Sequence, residues 1–285
     1  MGSGLHEWPL MLFTVLGQCV AGGFIVMGLG WLSDDDKAQR TRILRSMFFL
    51  WVLMALAFIA SVIHLGTPLR AFNSLNRVGS SALSNEIASG SLFFAVAGFW
   101  WLVAILGKMP QALGKLWLAV AMVLGIIMVW MMARVYSSID TVPTWYNGYT
   151  TTGFFMTMLL GGPLLGVLLL RAARVNFSSG KLAGISVLAL LVTIAAIVMQ
   201  SHELTSIHSS VVQATALVPD YALLQVVRLA LLVLGLGCWL CPLLRSREPK
   251  LAGLLAGFVL VVAGELIGRG IFYGLHMTVG MAIAG

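Results

Sequence analysis

HLGTPLRAFNSLNRVGSSALSNE, residues 64–86, separates two long apolar runs and gathers one His, two Arg, three Asn and one Glu into 23 positions. His64 closes the first run and Glu86 opens the second. If both runs are membrane helices, the short polar connection makes them antiparallel neighbours. That brings an imidazole and a carboxylate to similar depth beneath one face of a bilayer. Oxidation of a lipid-soluble quinol needs two proton-accepting groups in such a place, and ionisable groups inside membranes are functional by default. The plainer alternative makes His64 a satisfied helix-end residue and pairs Glu86 with Arg70 or Arg77. The residues by themselves leave both open.

Composition puts those runs in a bilayer. The 285-residue chain is 60% hydrophobic and 9% charged, where soluble domains carry about 25% charged residues. Its mean hydropathy is +0.99. A crossing takes about 20 apolar residues, so the length holds eight spans with short connections and no soluble domain of useful size. The expected fold is an all-α integral membrane protein, with residues 1–285 forming one membrane domain. Near-uniform hydrophobicity hides any helical period, so the spans are read from length and polar breaks. They fall at 9–32, 43–64, 83–106, 116–136, 152–170, 182–200, 221–244 and 251–275. No cleavable signal is expected, because MGSGLHEW lacks a basic start and the first apolar run is too long for a signal core.

Lys and Arg orient the spans. Lys37, Arg40, Arg42 and Arg45 follow the first span, and Lys108 and Lys115 the third. Arg171, Arg174 and Lys181 follow the fifth, and Arg245, Arg247 and Lys250 the seventh. Those connections hold twelve basic residues, whereas the opposite face holds only Arg70 and Arg77. Basic loops stay cytoplasmic, so both termini are expected on the extracytoplasmic side. The net charge of +7 thereby has a topological meaning, and no nucleic-acid partner is expected. The outer connections TVPTWYNGYT and HELTSIHSSVVQATALVPD are long and free of Lys and Arg. Their composition suits a protein docking surface, since interface cores lose charge and gain aromatics. All five histidines, His6, His64, His202, His208 and His276, map to that same face.

Polar groups within the spans are few. Glu265 and Arg269 lie four apart in GELIGRG, on one helix face, where they can neutralise each other or serve a proton path. Either charge alone at the bilayer centre costs at least about 2.5–3.5 kcal/mol. Gln18, Arg134 and Arg228 are further polar points, and Gly22, Gly23, Gly161, Gly162 and Gly268 suit close helix packing. Cys19, Cys238 and Cys241 are too few for an iron–sulfur cluster, which takes four thiolates. No metal site is expected. A haem would have to be held near one face by His64 and His276, since no histidine lies mid-span. Three classes stay in view: a quinol-oxidising subunit, a b-type cytochrome, and a small-solute transporter centred on Glu265 and Arg269.

Five longer strings carry more than these single residues. They are GSGLHEWPL, HLGTPLRAFNSLNRVGSSALSNEIASG, IDTVPTWY, IHSSVVQATALVPDY and GELIGRGIFYGLHMTVGMA. In them the sequence resembles, over nearly its whole length, the membrane anchor (C) subunit of anaerobic dimethyl sulfoxide reductase and its close paralogues. The resemblance implies a multi-pass subunit of the bacterial inner membrane that anchors an iron–sulfur electron-transfer subunit and a molybdopterin catalytic subunit. It implies that menaquinol is the substrate, and that the protein has neither haem nor iron–sulfur cluster of its own. The family's quinol-site His and Glu fall on His64 and Glu86. Arg70 and Arg77, between them in the sequence, are expected in the vicinity of the bound quinol. A His, with an unperturbed pKa of about 6.5, suits a general base near neutral pH. The loop SDDDKAQRTR has no counterpart in the match, which leaves the paralogue and the terminal acceptor open.

Overall fold

A computed structural model of the protein describes residues 2–64, 73, 75–208 and 212–278. A 3-10 segment, Gly2–Glu7, leads into α1 (Trp8–Ser33), α2 (Lys37–His64), α3 (Ala82–Ile105) and α4 (Gln111–Ser137). Then come α5 (Gly148–Ala172), α6 (Gly180–Leu204), α7 (Tyr221–Leu244) and α8 (Leu251–Gly274). All eight are long and apolar enough to cross a membrane. The helices outrun the apolar runs at their polar ends, where capping rather than hydropathy sets the boundary. α2 starts at Lys37 instead of near residue 43 because the Asp36 carboxylate accepts from the Ala38 amide at 2.9 Å. α5 starts at Gly148 because Asn147 Oδ1 accepts from the Thr150 amide at 3.1 Å.

α1 and α5 form the centre and run parallel, because glycine lets their backbones touch. A Cβ on Gly162 would fall 2.5 Å from the Gly22 Cα, and one on Gly166 would fall 2.5 Å from Val26. Any larger residue at Gly162 would force the two helices apart.

Around this core the two halves pack alike. α1 lies on α2 and α4 as α5 lies on α6 and α8, and α3 pairs with α4 as α7 pairs with α8. One shift of 139 positions carries Gly22-Gly23 onto Gly161-Gly162, Gly98 onto Gly237, and Trp100 onto Trp239. Both tryptophans are fully buried. Each donates its indole N–H into its own half, Trp100 to the Gly114 carbonyl at 2.8 Å and Trp239 to Ser179 Oγ at 3.3 Å. The same shift puts Gln225 where Glu86 stands.

The N-terminal 3-10 segment packs against α8, with Gly4 tight on the Gly270 backbone. The α4–α5 and α6–α7 connections close this same face. Trp145, one of the residues expected on a docking surface, turns inward instead. It stacks on Phe272 at 5.3 Å and donates to the Phe272 carbonyl at 2.8 Å. Leu204, Ala214, Val218, Ile271 and Leu275 form a small second core beneath the α6–α7 connection. Much of the apolar content of these loops is therefore spent on internal packing, while Tyr146 stays outward, 55% exposed.

Candidate functional site

Glu86 sits one turn inside α3, and the preceding turn is tightly specified. Gly79, at φ +93°, takes a conformation that a side chain would strain. Its amide donates to Asn85 Oδ1 at 2.6 Å, and Ser81 caps the helix by accepting from the Ser84 amide. With the helix start pinned, Glu86 turns inward and is 5% exposed. It lies within electrostatic reach of Tyr136 on α4 and Tyr273 on α8. Those two hydroxyls hydrogen-bond each other at 2.9 Å across the junction of the halves. Glu86 Oε1 has no hydrogen-bond partner among the described residues. A buried oxygen in that position costs about 1–3 kcal/mol, so the fold holds ready an acceptor that a ligand hydroxyl would satisfy.

The residues expected around Glu86 divide. His64 is the last residue of α2, on the same face; its side chain and all of Arg70 lie outside the described residues. Arg77 ends the 3-10 turn Leu75–Arg77, exposed, with its carbonyl receiving the Ser81 amide at 3.0 Å. Its guanidinium makes no hydrogen bond or ion pair with Glu86, whose Oε1 has no partner among the described residues.

The second half carries its own buried carboxylate. Glu265 on α8, 2% exposed, accepts from Thr157 Oγ1 at 2.6 Å and pairs with Arg228 of α7 at 3.3 Å. Arg269 turns the other way, donating to Gln18 Oε1 of α1 at 3.0 Å. Its guanidinium carbon lies 3.6 Å over the Phe154 ring centre, an electrostatically favourable stack. The expected self-neutralising pair within α8 is thus replaced by two contacts between helices. Gly268 permits this, since a Cβ there would collide with the Arg228 guanidinium. A pocket of about 60 Å³ among α5 to α8 is lined by Gln225, Arg228, Glu265 and Arg269. Gln225 Oε1, Arg228 Nε and Arg269 Nε face no hydrogen-bond partner among the described residues.

Among the described residues, no three His, Cys, Asp or Glu side chains converge on a metal-sized site. A family model described as DMSO reductase anchor subunit (DmsC) matches residues 1–275. The protein belongs to that anchor subunit family. It is 67% identical over 285 residues to YnfH of Escherichia coli K12, an anaerobic dimethyl sulfoxide reductase subunit. It is 62% identical over 286 residues to the C subunit of anaerobic dimethyl sulfoxide reductase from the same strain, and 43% to that of Haemophilus influenzae. Each match covers 100% of both sequences.

For this DMSO reductase anchor subunit, sequence reasoning finds both buried carboxylates and misses what surrounds them. Tyr136 and Tyr273 are 137 positions apart, and neither interrupts an apolar run sharply enough to be noticed. Thr157 is hidden for the same reason. The 139-position shift is the one signal that points to Gln225 as the counterpart of Glu86.

Proposed function

We propose that this anchor subunit binds menaquinol beside Glu86 and His64 at the extracytoplasmic face of the bacterial inner membrane and oxidises it there. The quinol gives up two electrons and two protons. Glu86 and His64 accept the protons and release them outward, and the electrons pass to a docked iron–sulfur subunit that feeds a molybdopterin catalytic subunit in anaerobic respiration. Arg70 and Arg77, which fall between His64 and Glu86 in the sequence, would lie in the vicinity of the bound quinol. The observation that carries this reading is the Glu86 carboxylate, buried with an oxygen that lacks a partner among the described residues, in a family whose members anchor a reductase. A photoreactive quinone tests the location. In membranes containing the whole complex, the label should fall on the peptide spanning the end of α2 and the start of α3. Label on α7 or α8 instead would move the site to Glu265.

The proposed orientation places both termini outside, supported by the twelve Lys and Arg on the connections α1–α2, α3–α4, α5–α6 and α7–α8 and on the helix ends that flank them. Protons and electrons then leave the quinol on one side, so its oxidation alone builds no membrane potential. The α4–α5 and α6–α7 connections, on the same face, would supply part of the docking surface. A phosphatase reporter, which works only outside, should be active when fused after α8. Activity of a cytoplasm-dependent reporter at that point would reverse the orientation.

A further inference from the structure

We propose that the lipid-facing groove between α2 and α3 receives the isoprenoid tail of the quinol, an assignment that rests on the headgroup site at Glu86. The groove has a volume of about 420 Å³ and is lined by Phe48, Trp51, Phe94, Gly98, Phe99 and Trp101. It occupies the same helix pair that ends in His64 and begins before Glu86. Phe94 and Leu102 lie about two and four turns further along α3 than Glu86. At about 1.5 Å per residue, the groove runs from about 12 to about 24 Å beneath the carboxylate. A tail leaving the headgroup towards the bilayer centre would follow this seam.

The groove is held open by its own residues. Trp101 Nε1 donates to the Leu44 carbonyl at 2.6 Å and ties the two helices together at the far end. Trp51 forms the buried floor, while Phe48 and Phe99 stand at the rims, 51% and 61% exposed. Gly98 leaves the middle empty, with no heavy atom within 4 Å of where a Cβ would stand.

A phospholipid acyl tail would fit any apolar groove, and the other half of the protein shows what the fold needs for that. The equivalent seam lies between α6 and α7. α2 and α3 carry nine aromatic residues, whereas α6 and α7 carry two, Tyr221 and Trp239. The shift that carries Trp100 onto Trp239 carries Phe94 onto Val233. Aromatic side chains are therefore not required to build such a seam. They line the one that begins at a carboxylate and are far fewer in the helix pair that begins at Gln225. In lipid there is no hydrophobic gain from moving a tail into a groove. Selective binding must come from packing, and flat aromatic faces offer the flat methyl-branched alkenes of an isoprenoid more contact than saturated tails do.

Two variants test this in membranes carrying the intact complex. Gly98→Leu fills the groove, and Phe94→Val gives it the residue found in the other half. Each would be assayed with a long-tailed menaquinol, with a water-soluble quinol lacking the tail, and with an artificial donor that reduces the partner subunits directly. Both variants should raise KM for the tailed quinol by about three- to tenfold, with little change in kcat. KM for the tailless quinol and the artificial-donor rate should stay at wild-type values. Equal losses with both quinols, or no loss with either, would overturn the assignment; the second outcome leaves the groove to ordinary lipid tails. Glu86→Gln, run in parallel, separates the tail site from the headgroup site. If it abolishes oxidation of both quinols while Gly98→Leu shows no dependence on the tail, only the tail site fails. If Glu86→Gln leaves both quinols unaffected, the headgroup site itself is wrong.

Discussion

Membranes carrying Glu86→Gln should oxidise menaquinol about 10²–10⁴-fold more slowly than wild type, the usual cost of losing a general base. The terminal acceptor should still be reduced at the normal rate when an artificial donor feeds the partner subunits. The separation is expected because, among the described residues, Glu86 makes no ion pair that its loss would break. Arg77 is exposed, and Oε1 is free of partners among the described residues. An amide has nearly the shape of the carboxylate, so the Ser81 cap and the Gly79–Asn85 turn are left untouched. His64→Leu should give the same pattern, since the imidazole is proposed to act on the second hydroxyl. Loss of both activities, with the partner subunits released from the membrane, would make Glu86 a structural residue. Survival of both would move the quinol site elsewhere, with the Glu265 pocket as the next candidate.

How far the sequence can be read depends on which constraint acts on each residue. A bilayer demands about 20 apolar residues per crossing, and that demand is met locally, so the eight helices are visible as runs. Glu86 is visible for the same reason, since a carboxylate so near the start of such a run costs too much to be incidental. What the runs conceal is rotation. When nearly every position is apolar, no face of a helix announces which neighbour it meets. Glu265 and Arg269 are therefore paired along their own helix when read from spacing, the one geometry that spacing supplies. In the fold, Glu265 meets an arginine 37 positions away and Arg269 a glutamine 251 positions away. Gly22 and Gly162 are each recognisable as close-packing residues, yet not as two sides of one crossing. Trp145 shows the limit in the loops, where an aromatic residue that could serve a partner is used instead to close the bundle over Phe272.

Glu265→Ala should remove the anchor from the membrane rather than merely slow it. The carboxylate is 2% exposed and is the ion-pair partner of Arg228, whose side chain is 12% exposed. Arg269 is one turn further along the same helix. Without Glu265, the Arg228 guanidinium is left in the bundle interior with no anion beside it among the described residues. Breaking a buried pair by removing one partner costs about 3–5 kcal/mol, a large part of the roughly 5–15 kcal/mol that typically holds a fold together. The level of assembled complex should fall, and turnover with menaquinol and with the artificial donor should fall together. Glu265→Leu combined with Arg228→Leu removes the pair as a unit. Such replacement is often neutral, and Arg269 keeps its bond to Gln18 and its seat over Phe154. The double variant should therefore recover assembly and both activities. That recovery distinguishes a structural pair from a working one. If the double variant assembles, accepts electrons from the artificial donor and still fails with menaquinol, then Glu265 and Arg228 act on the quinol or its protons. The pocket they line would then belong to the chemistry rather than to the scaffold.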